Sequence, residues 1–150
     1  MLDVSTFKLV VEHTPLVSID LIVKNASNEI LLGKRLNRPA KGYWFVPGGR
    51  ILKNETIDDA FARLVEQELA ISYSITAAKF IGNYEHMYTD NFSNESFSTH
   101  YIVLGYEVKI DINLANLPIE QHQNYQWMTV SKLMGSPKVH QNTKNYFISA

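Results

Sequence analysis

The sequence predicts an α/β fold in which a mixed β-sheet is flanked by helices, and three observations predict it. Runs of strand length recur between Pro, Gly and Asn punctuation. One segment, Thr56 to Leu69, lacks Pro and Gly and carries apolar residues at helical spacing. The order along the chain is helix, hairpin, strand, helix, strands, helix, with no internal repeat and no composition break to mark a linker. A single domain over residues 1–150 is expected, long enough to bury about two-thirds of its unfolded surface.

Leu2 to Glu12 places Val4, Phe7, Val10 and Val11 at helical spacing and reads as an amphipathic helix closed before Pro15. Leu16 to Val23 is a buried strand, Asn25 to Asn28 a turn, and Glu29 to Arg35 a returning strand, together a hairpin. Tyr43 to Val46 is a short aromatic strand ending at Pro47-Gly48-Gly49, where two glycines are expected to permit a tight bend beside a ligand. In the helix over 56–69, Ile57, Ala60, Phe61, Leu64, Val65 and Leu69 form the apolar stripe, and Asp58 and Asp59 suit the N-terminus. Strand-like runs follow at 76–88, 98–108 and 125–129, with a polar loop over 89–95, and a last helix is expected over about 139–148.

Fourteen Lys plus Arg nearly balance fifteen Asp plus Glu, so bulk charge selects neither nucleic acid nor a membrane surface as partner, and any anion site must be local. There is no Cys, hence no disulfide framework or thiolate metal site, and a cytoplasmic location is expected. No apolar run approaches membrane-spanning length.

The most informative stretch runs from Gly48 to Ile71. Gly49, Glu55, Arg63, Val65, Glu68 and Ile71 fall in register with the Nudix box, and nearly the whole chain resembles the Nudix hydrolases, whose fold is an α/β/α sandwich. In that family three carboxylates would stand where this chain has Leu64, Gln67 and Glu68, positions i, i+3 and i+4 on one helix face. Only Glu68 survives, and Ala70 replaces the usual glycine. Residues 14–20, 32–35 with 37–40, 42–50, 99–101 and 120–122 are similar to the GDP-mannose mannosyl hydrolase branch, an atypical Nudix group whose box characteristically lacks the paired glutamates. The resemblance implies metal-dependent hydrolysis of a GDP-hexose, GDP-mannose and also GDP-glucose, to GDP and free sugar.

A lone helical Glu is usually solvated, but the box register makes Glu68 a Mg²⁺ ligand, with Glu66 on the opposite, solvated side. One carboxylate suits one ion per subunit, Mn²⁺ being able to substitute. The resemblance adds the Gly48 carbonyl and the Gln121 side chain as further oxygen ligands. His122, beside Gln121, is the candidate general base, since imidazole can accept a proton from water near neutral pH. His86 is a candidate donor to the leaving group or sugar, whereas His13 and His140 are expected on the surface. Arg35 and Arg50 flank the glycine turn and offer forked donors to a diphosphate, both binding it and stabilising its departure. Asp20, a carboxylate in an apolar strand, needs an Arg or a sugar hydroxyl as partner, and the resemblance favours substrate binding. It also implies a hydrogen bond from Tyr101 to the nucleotide sugar, a structural role for Glu55 and a supporting one for Arg63. Trp44, Phe45 and Trp127 read as core.

A nucleoside diphosphate is already a stabilised anion, so these residues permit direct attack by water at the anomeric carbon with inversion, without a second catalytic carboxylate. The alternatives are an ordinary Nudix pyrophosphohydrolase attacking phosphorus and a catalytically inactive nucleotide-sugar binding module. The resemblance further implies a homodimer joined through N-terminal elements, which Leu2, Val4 and Phe7 would suit.

Overall fold

The computed structural model describes residues 2–118 and 122–148, with the backbone alone at 122–123. Helix α1 (Val4–His13) begins at Asp3, whose carboxylate accepts from Thr6 N at 2.8 Å. Strands β1 (Leu16–Lys24) and β2 (Glu29–Arg35) follow, then β3 (Trp44–Phe45), β4 (Gly48–Arg50) and helix α2 (Ile57–Leu69). Strands β5 (Lys79–Tyr88), β6 (Thr99–Lys109) and β7 (His122–Thr129) complete one seven-stranded sheet. Short helices α3 (Val130–Gly135) and α4 (Gln141–Lys144) and a 3₁₀ turn over Asn145–Phe147 close the described chain.

The sheet is mixed. β1 runs parallel to β6, from Leu16 opposite Tyr101 to Lys24 opposite Lys109, and the other ladders are antiparallel. Alternation along β1 sends Ile19, Leu21 and Val23 into a core with Phe61, Leu64, Val65 and Leu69 of α2. Ile22 joins Ile30, Leu32, Val46, Leu133 and Val139 in a second core. The expected α/β/α arrangement is what the chain adopts.

Two expectations are corrected, and the expected hairpin forms with a short ladder. The hairpin exists at its turn, where Asn25 Oδ1 accepts from Ser27 N and Glu29 N, but its ladder is registered only at Lys24 and Ile30. Beyond that point β1 pairs with β4 and β2 with β7, so each strand finds another neighbour. Gly48 and Gly49 form a strand, not a left-handed bend, and their need is close approach. A Cβ on Gly48 would lie 2.4 Å from Ile19 O and 2.5 Å from Asp20 Oδ1, and one on Gly49 2.4 Å from Leu64 Cδ2.

The expected C-terminal helix is broken. Trp44 N donates to Lys138 O and His140 N to Trp44 O, which commits Val139 to a bridge beside β3. His140 then caps α4, its Nδ1 accepting from Asn142 N at 3.0 Å. The preceding α3, which periodicity does not mark, starts at its own cap, Thr129. Helix α2 matches expectation except that Ile57 is exposed.

Candidate active site

The helix of the box, α2, is fixed at both ends. Thr56 Oγ1 accepts from Asp59 N at 3.1 Å, and Ala70 ends α2 in the left-handed region at φ 56°, a conformation that costs a non-glycine residue roughly 1–2 kcal/mol. Arg63 projects from α2 to Glu55, with Nε 2.7 Å from Oε2 and Nη2 2.9 Å from Oε1, and its Nη2 also donates to Arg50 O at 2.8 Å. Glu55 Oε1 in turn accepts from Leu52 N at 3.0 Å. This pair ties loop, helix and glycine strand together. Hydrogen bonding from Arg63, with help from Leu52, holds the Glu55 carboxyl below its ordinary range.

The three positions that would form a carboxylate face have separated. Leu64 is buried against Gly49, Gln67 is exposed and accepts from Arg63 Nη1 at 3.0 Å, and Glu68 is 8 % exposed. Glu66 is exposed, as expected. Among the described residues, Glu68 does not line the neighbouring cleft, yet its charge raises the pKa values of both Asp20 and Arg63.

That cleft, of about 250 Å³, opens beside β4 and gathers Asp20, Arg35, Gly48, Arg50, His86 and Tyr101. The strand register explains the convergence: Asp20 pairs with Gly48, His86 with Tyr101, and Arg35 with the backbone of His122. Arg35 Nε donates to Pro39 O at 3.0 Å, with its guanidinium 5.9 Å from the Phe45 ring centre; the Arg50 guanidinium stands 4.6 Å from that of Phe7. Such stacking aims the guanidiniums while leaving most donors available. A second hollow of about 280 Å³ shares Arg35, Pro39 and Tyr101 with the cleft and is walled by Phe7 and Phe92, whose rings lie 4.9 Å apart.

Asp20 is satisfied by neither expected partner type within the chain. Tyr146 OH donates to its Oδ2 at 2.5 Å and lies 3.4 Å from His86 Nε2. Burial pushes the Asp20 carboxyl up to about 7, against the lowering effects of Tyr146 and Arg35. His86, 5 % exposed, is pushed down to about 4 by burial and then by His140. At neutral pH it is therefore a neutral imidazole that can donate a hydrogen bond but holds no spare acid proton. Burial also raises Tyr101 and lifts Tyr88 to about 12.

His13 is exposed, as expected, but His140 is not a surface residue. It stacks on Phe45 with ring centres 4.8 Å apart and packs against Tyr43 and Tyr88. Phe45 is buried and also lines the cleft, while Trp44 and Trp127 pack on the two cores. Tyr146 and His140 were missed because their contacts depend on how the broken C-terminal segment returns to the sheet, which no local spacing signals.

Gln121 lies outside the described residues, as does the side chain of His122. Among the described residues, no three His, Cys, Asp or Glu side chains converge as a metal site. The expected set of Glu68, the Gly48 carbonyl and Gln121 is all oxygen and contains one carboxylate, a composition suited to a hard divalent cation completed by phosphate oxygens and water.

Comparison with known proteins agrees with the fold. The protein shares 39% identity over 105 residues with the low-salt glycan biosynthesis protein Agl8 of Haloferax volcanii, covering 70% of this chain and 65% of that protein. It shares 39% over 57 residues with the ADP-ribose pyrophosphatase of Methanocaldococcus jannaschii, 38% of this chain and 33% of that protein. The matches thus span less than two thirds of either relative. A MutT protein from Methanosarcina mazei Go1 superposes with a TM-score of 0.70 at 20% identity, covering 90% of this chain and 92% of that one. The Nudix domain of Shewanella oneidensis NrtR, solved with ADP ribose, gives 0.66 at 14% identity, covering 97% and 96%. The NUDIX domain model matches residues 14–150, and the chain belongs to the Nudix family.

Proposed function

We propose that this Nudix protein hydrolyses a GDP-hexose, GDP-mannose and also GDP-glucose, to GDP and the free sugar by attack of water at the anomeric carbon with inversion. The observation that carries the reading is the dismantled carboxylate face: Leu64 is committed to the core, Gln67 to Arg63, and Glu68 alone remains buried near Asp20. Such a face is poorly equipped to gather several metals around an attacked phosphate. It is sufficient for one cation on a departing diphosphate.

Glu68, the Gly48 carbonyl and Gln121 would hold Mg²⁺, or Mn²⁺ in its place. When bound, that ion supplies charge neutralisation to the diphosphate. Arg35 and Arg50 bind the same diphosphate through forked donors and stabilise the negative charge that develops as the C–O bond breaks. Asp20 and Tyr101 orient the sugar, and neutral His86 donates a hydrogen bond at the sugar or leaving oxygen. His122 accepts the proton of the attacking water; its backbone position opposite Arg35 supports that assignment. Glu55 and Arg63 keep the loop and helix in place.

The glycan-biosynthesis name of the Haloferax relative supports a sugar-nucleotide substrate. The ADP-ribose pyrophosphatase match supports a second reading, a pyrophosphohydrolase releasing GMP and a sugar phosphate. Chromatography of the products of Mg²⁺-dependent turnover separates them: GDP with free mannose is expected, GMP with mannose 1-phosphate would favour the second, and binding without turnover the inactive module. We also assign the protein to the cytoplasm and to a homodimer. Val4, 64 % exposed, and exposed Leu2 suit such an interface, whereas Phe7 packs within the chain against Phe92. A concentration-independent monomer mass in solution would contradict the dimer.

A further inference from the structure

Asp20 occupies an unusual row across the sheet. It stands opposite Gly48 of β4 on one side and Gly105 of β6 on the other, so cross-strand neighbours on both flanks lack side chains. The space on each side is taken. A Cβ at Gly48 would collide with Asp20 Oδ1, and one at Gly105 would lie 3.3 Å from Tyr146 Cε1. The Tyr146 ring thus sits over the glycine of β6, with the Tyr84 ring edge-on at 4.5 Å and the His86 ring at 5.9 Å. Its hydroxyl reaches Asp20 Oδ2 from 126 residues away in sequence.

We propose that Tyr146 is a positioning residue for sugar recognition: its hydroxyl holds the Asp20 carboxylate in one rotamer, leaving Oδ1 to receive a hexose hydroxyl. The glycines make room on both sides of the carboxylate, and the tyrosine closes the side away from Gly48. Without the hydroxyl, Asp20 would be free to rotate in a cleft whose other acceptors and donors are fixed by the sheet. A two-χ aromatic side chain seated in a socket supplies this constraint with little entropy left to lose on binding.

This inference rests on the GDP-hexose reading, and the test separates the two. Titration calorimetry of the full chain with Mg²⁺, every protein carrying His122→Gln so that GDP-mannose is bound but not turned over, measures the affinities for GDP and for GDP-mannose with residues 20 and 146 wild type, with Tyr146→Phe, with Asp20→Asn and with both. Tyr146→Phe keeps the ring and its packing on Gly105. The expected result is about tenfold weaker binding of GDP-mannose, GDP affinity within about twofold of wild type, and a double variant no weaker than Asp20→Asn alone, because the tyrosine acts through Asp20. Equal losses for GDP and GDP-mannose would overturn the inference by making Tyr146 a general scaffold residue. So would an unchanged GDP-mannose affinity, or losses that add in the double variant. Wild-type protein that binds GDP but gains nothing from the hexose would overturn the substrate reading itself, and this inference with it.

Discussion

Two carboxylates, thirty-five positions apart, show how differently the molecule uses the same chemistry. Glu55 is surrounded by donors, accepting from Leu52 N and twice from Arg63, so its charge is favoured and its pKa falls. Asp20 is half-buried among strands with one tyrosine donor, and desolvation disfavours its charge and raises its pKa to about 7. The first arrangement holds a loop against a helix. The second keeps a polar group under-satisfied at the edge of a cleft, where a ligand can complete its hydrogen bonding. One carboxylate therefore maintains the Nudix frame while another faces the cleft, where the proposed reading places the substrate.

The largest loss is expected at His122. If His122 is the general base, His122→Gln should lower kcat by about 10²–10⁴-fold with little change in substrate affinity. Turnover and calorimetric binding on the same preparation check it, and near-wild-type kcat at neutral pH would remove His122 from the role of base. Glu68→Gln should come next, raising the Mg²⁺ concentration for half-maximal turnover by about tenfold or more, because the other proposed ligands are neutral oxygens.

Stability against pH sharpens the comparison. Asp20 holds a proton in the folded state between pH 3.8 and about 7 that the unfolded chain has released, so its contribution is present at low pH and lost as pH rises. His86 does the reverse: it is neutral when folded down to pH about 4, while the unfolded chain takes up a proton below 6.5. The two slopes oppose each other between pH 4 and 6.5. In metal-free protein, Asp20→Asn should therefore gain stability with rising pH by about 1.4 kcal/mol per unit across that window, and His86→Gln should lose it at a similar rate. Urea melts at successive pH values read both. The smallest effect is expected from Glu55→Gln, no more than ~1 kcal/mol for a partly exposed pair, present near neutrality and vanishing as acid protonates Glu55 in wild type.

The parts legible in the sequence were those set by local rules. Helix α2 follows from Thr56, the acidic first turn and the apolar stripe, and the strands at 16–24 and 29–35 from their length and punctuation. Asp20, Arg35, Arg50 and Tyr101, read from the motif resemblance, and His86, read from its place near a strand end, meet around one cavity. What escaped depends on returns of the chain. The glycine pair signalled a bend by composition, whereas its actual role is set by Asp20 and Leu64, which only the folded sheet brings near. The periodicity over 139–148 was overridden by the backbone bonds between β3 and residues 138–140, and with it the seat of Tyr146 was hidden.

In the proposed reaction, the loss of the carboxylate face moves attack from phosphorus to carbon. Single-turnover hydrolysis of GDP-mannose in ¹⁸O-water, read by mass spectrometry, tests it directly. Label in the mannose, with unlabelled GDP, is the predicted result; label in a phosphate oxygen would contradict it.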